Sequence, residues 1–300
     1  MAVRNFDDLL ASAQSCGPKT IVAAGAGQAT VLEALASAQE RGIARAILVG
    51  NEETIHRAAV DCGVDVGEME IIHEPDMELA ARMAMLQVAR GRAHVAMKGR
   101  VDTAAFLRAA LDRELELRTG ALLSHVAVFD MQSLGRLLLI SDAGVNIAPT
   151  LAEKADIVRN AIHVAHKLGI ERPNVAVLAS TETVNPKIPA NVEAAALAKM
   201  ADRGQISGGV VDGPLALDNA ISPHAARDKD IVSPVAGCAD ILILPDIEAG
   251  NVLVKAIVYF AQHAMAGIVV GAKVPLIVAS RSDTFESKLD SLALGVVMAC

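Results

Sequence analysis

The groups able to do chemistry gather between Gly208 and Lys255. This stretch holds two apolar runs, Gly209 to Val211 and Ile241 to Leu244. Asp212-Gly213-Pro214 ends the first, and Pro245-Asp246-Ile247-Glu248-Ala249-Gly250-Asn251 ends the second. Short buried strands that stop at Gly, Pro, Asp and Asn offer ligand-facing loops at their carboxyl ends, where open α/β sheets bind small molecules. Each cluster alone reads more readily as an ordinary turn. With Ser280-Arg281 added, the three point to a site. A guanidinium is a natural fork for a phosphoryl oxygen pair. Arg281 follows an expected strand, Val274 to Ala279, and precedes the last helix. A cation beside the positive end of a helix dipole is unfavourable unless an anion joins it.

Other strand ends carry weaker signals. Lys98-Gly99-Arg100 stands between a strand and a helix start near Asp102-Thr103, where backbone N–H groups and a cation suit an anion. Ser141-Asp142-Ala143-Gly144-Val145-Asn146 and Ser180-Thr181-Glu182-Thr183 read as cleft lining or as turns. Gly25-Ala26-Gly27 suggests a dinucleotide loop, but Thr30 stands where the third glycine belongs, which argues against a nicotinamide site. His163 and His166 are three apart on an expected helix and read as surface groups, so no metal site is expected.

The elements that must position these groups follow from periodicity. Helices are expected over Phe6 to Ser15, Thr30 to Gln39, Glu52 to Cys62, Glu78 to Arg90 and Asp102 to Asp112. Strands are expected at Thr20 to Ala24, Ala46 to Val49, Met69 to His73 and His94 to Met97. That alternation predicts a parallel sheet covered by helices. After Gly120 the rhythm changes: Leu123 to Asp130 and Arg136 to Ser141 are spaced for a hairpin, which brings in an antiparallel element and marks a boundary. Alternation then resumes with helix Thr150 to Leu168, strand Asn174 to Ala179, helix Ala190 to Asp202, strands Ile206 to Val211 and Ile241 to Leu244, and helix Gly250 to Ala264. The final helix presents Phe285, Leu289, Leu292 and Val296 on one face, with Ser282 or Asp283 as its N-cap.

Three hundred residues exceed the usual single core, so two lobes are expected. A hydrophobic content of 53% with 2% aromatics leaves the packing to Ala, Val, Ile and Leu. The net charge of −8 argues against nucleic acid or an anionic membrane as partner. The apolar stretch Ala256 to Ala279 is broken by Gln262, His263, Lys273 and Pro275, so it is not a membrane span. Cys16, Cys62, Cys238 and Cys300 show no metal spacing and read as free thiols in a reducing cytosol. Acids at Asp7 and Asp8 speak against a signal peptide, so a cytoplasmic location is expected.

Several segments together resemble the phosphate acetyl/butyryltransferase family: KGRVDT (Lys98 to Thr103), LLSHV (Leu122 to Val126), SDAGVNIAPT (Ser141 to Thr150), DGPLALDNAIS (Asp212 to Ser222), SPVAGCADILILPDIEAGN (Ser233 to Asn251), GAKVPLIVASRSD (Gly271 to Asp283) and KLDSLALG (Lys288 to Gly295). The resemblance implies a two-lobed three-layer αβα sandwich like that of the isopropylmalate dehydrogenases, mostly parallel with some antiparallel strands. Its lobes would be 1–121 with 269–300, and 122–268, with the active-site cleft between them. It also implies a homodimer, no permanently bound cofactor or metal, and acyl-CoA and inorganic phosphate as substrates. The LALDNAIS wording is closer to the butyryl branch, since the acetyl branch more often has Gln and an aromatic where Ala216 and Leu217 stand.

The implied reaction gives each candidate a role. Arg281 would hold the phosphoryl oxygens, with Lys98 and Gly99 assisting. Ser280 or Asn251 would donate to the tetrahedral oxyanion. Thr103, Ser124, Asp142, Asn146, Asp212, Gly213 and Pro214 would line the substrate cleft. The family's base falls at Ser287 here, so Asp283 is the first candidate for that role and Asp218 the second. The alternatives are a metal-dependent decarboxylating dehydrogenase on the same fold, a non-catalytic CoA or nucleotide sensor, and an acyl-carrier-protein:phosphate acyltransferase.

Overall fold

The computed structural model describes residues 2–280 and 283–300, so the expectations placed on Arg281 and Ser282 lie outside the described residues. In chain order the elements begin α1 (Phe6–Ser15), β1 (Lys19–Ala24), α2 (Ala29–Glu40), β2 (Ala44–Gly50), α3 (Glu52–Cys62), β3 (Glu70–His73), α4 (Met77–Ala89), β4 (Val95–Lys98) and α5 (Thr103–Ala110). They continue with β5 (Ser124–Met131), β6 (Arg136–Ser141), α6 (Leu151–Lys167), β7 (Asn174–Leu178), α7 (Pro189–Asp202), β8 (Val210–Leu215), α8 (Leu217–Ile221), α9 (Pro223–Asp228), β9 (Ile241–Ile243) and α10 (Ile247–Tyr259). The last are β10 (Met265–Val270), β11 (Leu276–Ile277) and α11 (Phe285–Met298).

The chain divides into two compact units. The first comprises Phe6–Ala121 and Ala264–Cys300; the second comprises residues 2–5 and Leu122–His263. The return to the first unit comes at 264 rather than 269, because β10, which the sequence reading missed, belongs to the first unit's sheet. The first residues join the second unit, where the Val3 amide donates to the Leu168 carbonyl at 2.9 Å.

In the first unit the strands run in the order β3-β2-β1-β4-β11-β10. All neighbours are parallel except β10, which runs against β11. Ile21 to Ala24 of β1 are fully buried, as a central parallel strand covered on both faces must be. α11 packs on α1, α2 and β10, and α4 packs on α5 and β1. From Lys288 to Met298 every residue of α11 is buried, so this helix is surrounded rather than amphipathic.

In the second unit the order is β5-β6-β9-β7-β8. The expected hairpin forms the antiparallel β5–β6 pair, and the remaining pairs are parallel. Two of the boundaries that differ from expectation move site residues, and the unexpected α8 carries Asp218. β8 starts later and includes Asp212-Gly213-Pro214, which the sequence placed in a loop after the strand. β8 lies at the end of the unit's strand order, where a missing N–H is tolerated, and its register against β7 shifts between Ala176 and Leu178. α10 starts at Ile247 on an Asp246 N-cap rather than at the expected Gly250, so Ile247 to Ala249 form its first turn, and it ends at Tyr259 rather than Ala264. The turn-rich spelling PDIEAG is also a cap followed by a helix start.

Cys16 and Cys300 form a disulfide, which corrects the expectation of four free thiols; Cys62 and Cys238 are free. The pair is 284 residues apart in sequence, and the packing of α1 against α11 brings the Cα atoms to 6.2 Å. No helix among the described residues is long and apolar enough to cross a membrane. Thiol titration of the unreduced protein in denaturant gives two groups per chain; four would contradict the pairing.

Candidate functional site

In the first unit two parallel strands deliver site residues to the same sheet end. β4 and β11 pair as Ala96 with Leu276 and Met97 with Ile277, so Lys98-Gly99 and the segment leading to Ser280 leave neighbouring strands together. Lys98 is buried, and its Nζ donates to the carbonyls of Gly99 (3.2 Å) and Val101 (3.4 Å). The Gly99 amide donates to Ala24 and the Arg100 amide to Gly25, at 2.8 and 2.9 Å. A side chain on Gly99 would collide with the Gly25 carbonyl. Gly25 has φ +66°, and a Cβ on Gly27 would stand 2.7 Å from Thr54 Cγ2. Close packing of protein on protein therefore accounts for the glycines that suggested a dinucleotide loop.

Thr103 is half-buried at the start of α5. The cap residue Asp102 accepts from the amides of Ala104 (2.9 Å) and Ala105 (3.3 Å), so the chain's own carboxylate already serves these helix-end donors.

Ser280 and Asp283 bond to each other twice. The Ser280 amide donates to Asp283 Oδ2 at 2.7 Å, and the Asp283 amide donates to the Ser280 carbonyl at 3.3 Å. The N-cap of α11 is Thr284, whose hydroxyl accepts from Ser287 at 3.2 Å, rather than Ser282 or Asp283. Asp283 is diverted from capping because its carboxylate reaches back to Ser280.

In the second unit Asp142 organises the loop after β6. It is 3% exposed. Its Oδ1 accepts from the amides of Gly144 (2.7 Å) and Val145 (2.9 Å). Its Oδ2 accepts from the Asn146 amide (3.2 Å), Asn146 Nδ2 (2.6 Å) and the His125 amide (3.3 Å). Asn146 Nδ2 also donates to the Leu123 carbonyl at 2.8 Å. Ser124 is fully buried, and its hydroxyl accepts from Asn160 Nδ2 at 2.8 Å. Asp142, Asn146 and Ser124 are therefore committed to internal contacts that fix the β5 and β6 ends.

α10 packs its N-terminal turns onto that loop. A side chain on Gly250 would strike the Asp142 carbonyl, and Asn251 Nδ2 approaches the Ala143 carbonyl at 3.4 Å. Asn251 is exposed in this position. Within β8, Asp212 Oδ1 accepts from the Gly213 amide at 2.8 Å. Gly213 allows close approach to β7, since a Cβ there would stand 2.7 Å from the Val177 carbonyl.

Asp218 is exposed on α8 and pairs with Lys229 Nζ at 2.9 Å, and Lys229 also reaches Glu182 at 3.4 Å. The hydrogen bond from Lys229 holds the Asp218 carboxyl below the usual range, with the Asn219 amide adding to the effect. Such a group stays ionised well into acid and accepts a proton poorly. The sequence reading did not weigh Lys229, which its position in α9's C-cap brings beside α8. Nor did it weigh Lys288, which the structure shows to be buried in α11. His166 Nε2 bonds the Gly208 carbonyl at 2.7 Å, and His163 is exposed. Among the described residues no group of three or more His, Cys, Asp or Glu is placed to hold a metal ion.

The family model described as phosphate acetyl/butaryl transferase matches residues 73–296. The chain is 45% identical over 297 residues to the phosphate butyryltransferase of Clostridium acetobutylicum, covering 99% of each. It is 43% identical over 294 residues to the phosphate acetyltransferase of Thermotoga maritima, covering 98% of this chain and 99% of that one. A branched-chain phosphotransacylase from Enterococcus faecalis superposes with TM-score 0.84 at 34% identity, covering 94% of this chain and 99% of that one. The dehydrogenase and acyl-carrier-protein alternatives gain no support from these matches.

Two substitutions separate scaffolding acids from reacting ones. Asp142→Ala leaves several buried donors unserved and lowers unfolding free energy by about 3 kcal/mol or more, read from urea denaturation. Asp218→Asn changes turnover less than about threefold across pH 6–8, because a carboxyl held ionised by Lys229 gains no proton there; a larger loss with an intact fold would restore it as a base.

Proposed function

The chain belongs to the phosphate acetyl/butaryl transferase family, and from that premise we propose that it transfers a short acyl group between coenzyme A and inorganic phosphate. The observation that carries this reading is identity of 43–45% along nearly the whole chain to a phosphate acetyltransferase and a phosphate butyryltransferase. It is supported by the pairing of β4 with β11, which gives Lys98 and Ser280 neighbouring strand ends in one unit.

In the proposed reaction a phosphate oxygen attacks the thioester carbonyl carbon. The new C–O bond gives a tetrahedral oxyanion, its collapse breaks the C–S bond, and the thiolate leaves and takes a proton. In the reverse direction the thiol must lose that proton. A thiol with an ordinary pKa of about 8.5 is only a few per cent ionised at neutral pH, and a placed carboxylate speeds the step by about 10²–10⁴-fold. Arg281 holds the phosphoryl oxygens, with Lys98 and Gly99 assisting. Ser280 or Asn251 donates to the oxyanion. Asp283 is the base, with Asp218 the weaker choice because Lys229 neutralises it. Thr103 and Asp212-Gly213-Pro214 face the substrate. Ser124, Asp142 and Asn146 act on it indirectly, by fixing their loop.

Coenzyme A and phosphate are substrates in this reading, not resident groups. The wording Leu215-Ala216-Leu217 favours a four-carbon or branched acyl group over acetyl. One methylene is worth only about 1–3 kcal/mol of discrimination, so acetyl-CoA remains a slower substrate. Self-association into a homodimer is part of the proposal. Val252, Tyr259 and Phe260 are exposed along and just after α10, an apolar surface of the kind that marks an interface.

A panel of C2 to C6 acyl-CoAs, assayed for free thiol with and without phosphate, tests the reading. Release depends on phosphate and is fastest near C4. Arg281→Ala raises the KM for phosphate at least about tenfold and cuts turnover about a hundredfold, with an unchanged urea midpoint. Unchanged kinetics in that variant remove Arg281 from the mechanism.

A further inference from the structure

Lys288 has no part in the reaction as written, yet it is one of the largest fully buried side chains, at 1% exposure. It is the fourth residue of α11, and the next residues buried with it are Leu289, Asp290, Ser291 and Leu292. Burying an ammonium costs several kcal/mol unless its donors are matched, and an apolar residue of the same size is often neutral or better. A lysine in this place therefore needs a use for its donors. Its Nζ donates to the Asp283 carbonyl at 2.5 Å. Burial pushes the Lys288 ammonium below its ordinary pKa, and the charge of Asp283 acts in the opposite direction.

The contact falls on Asp283, which is already tied to Ser280. Asp283 accepts from the Ser280 amide with Oδ2 and returns its own amide to the Ser280 carbonyl. These two bonds tie Ser280 to Asp283 but leave the direction of the pair relative to the sheet unset. Lys288 supplies that second constraint. It reaches from the rigid, fully packed part of α11 to the outermost carbonyl before the helix, and it spans the N-cap Thr284. The charged donor makes this a stronger tether than a neutral bond of the same length.

Building on the acyl-transfer reading, we propose that Lys288 is a positioning residue: it anchors the Asp283 carbonyl and thereby aims Ser280 at the developing oxyanion. It touches no substrate. It acts through the turn, so its removal loosens Ser280 and lowers turnover more than it weakens acyl-CoA binding.

Amide hydrogen exchange on the full chain tests the tether without reference to activity. In Lys288→Met, peptides covering 278–284 exchange at least tenfold faster, while peptides within 289–298 keep their protection. In Lys288→Arg, which keeps a charged donor, the 278–284 rate stays within about threefold of wild type. The kinetic arm is a double-mutant cycle. Lys288→Met lowers kcat about tenfold with the KM for acyl-CoA within twofold, and it costs less than threefold when added to Ser280→Ala. Unchanged exchange at 278–284 in folded Lys288→Met overturns the proposal, as do equal losses in both backgrounds. If the Met variant does not fold, Lys288→Gln takes its place with the same thresholds. A wild-type protein that releases no thiol with phosphate present would sink the acyl-transfer reading, and the exchange arm alone then decides whether Lys288 holds the turn.

Discussion

A carboxylate accepting hydrogen bonds from backbone amides holds the chain after each of β4, β6, β9 and β11. Asp142 gathers the amides of Gly144, Val145 and Asn146; Asp283 takes that of Ser280; Asp246 takes that of Ala249; Asp102 takes those of Ala104 and Ala105. The physical need is general. A parallel strand that ends beside a helix leaves unpaired N–H groups where the chain turns, and an anion on the chain itself is the strongest neutral-pH partner for them. The loops thereby gain fixed shapes at the sheet ends where α/β proteins bind ligands.

That same use of acids restricts the chemistry. Asp142 spends both oxygens on bracing its own loop, and Asp218 is ion-paired with Lys229, which holds its carboxyl below the usual range and makes it a poor base. Asp283 uses Oδ2 on Ser280 and so sits in the same turn as the residue proposed to meet the oxyanion. Coupling scaffold and chemistry in one short turn makes the rate sensitive to groups beneath it, which is the role argued for Lys288. The pairing of β4 with β11, distant in sequence, brings the lysine-glycine turn and the Ser280 turn to adjacent strand ends within the first unit.

The first 110 residues were legible because each helix carries local signals: Asn51, Asp76 and Asp102 are N-caps, and apolar periodicity sets the buried faces. The antiparallel β5–β6 hairpin was legible from its short connection. Legibility failed where one spelling serves two structures. Gly213-Pro214 reads as a stop, but a strand at the end of the order accepts a proline. Ile247 to Ala249 reads as a loop, but it is helix behind an Asp cap. β10 was hidden because the apolar stretch from Ala256 to Ala279 contains helix and strands without a change of composition. The disulfide was beyond reach, since only the packing of α1 on α11 joins its halves. Among the proposed site residues, sequence gave no means of telling an acid that braces a loop from one that faces a substrate. Asp142 became a brace only when its five donors were in view.

The central claim is that this scaffold joins phosphate to an acyl group taken from a thioester. Phosphorus NMR of a reaction containing the protein, butyryl-CoA and inorganic phosphate tests it most directly, with free thiol measured in the same tube. The account predicts a new acyl phosphate resonance that grows in one-to-one proportion with the thiol and reverses when coenzyme A is added. Thiol appearing without an acyl phosphate signal, or neither appearing, would contradict it.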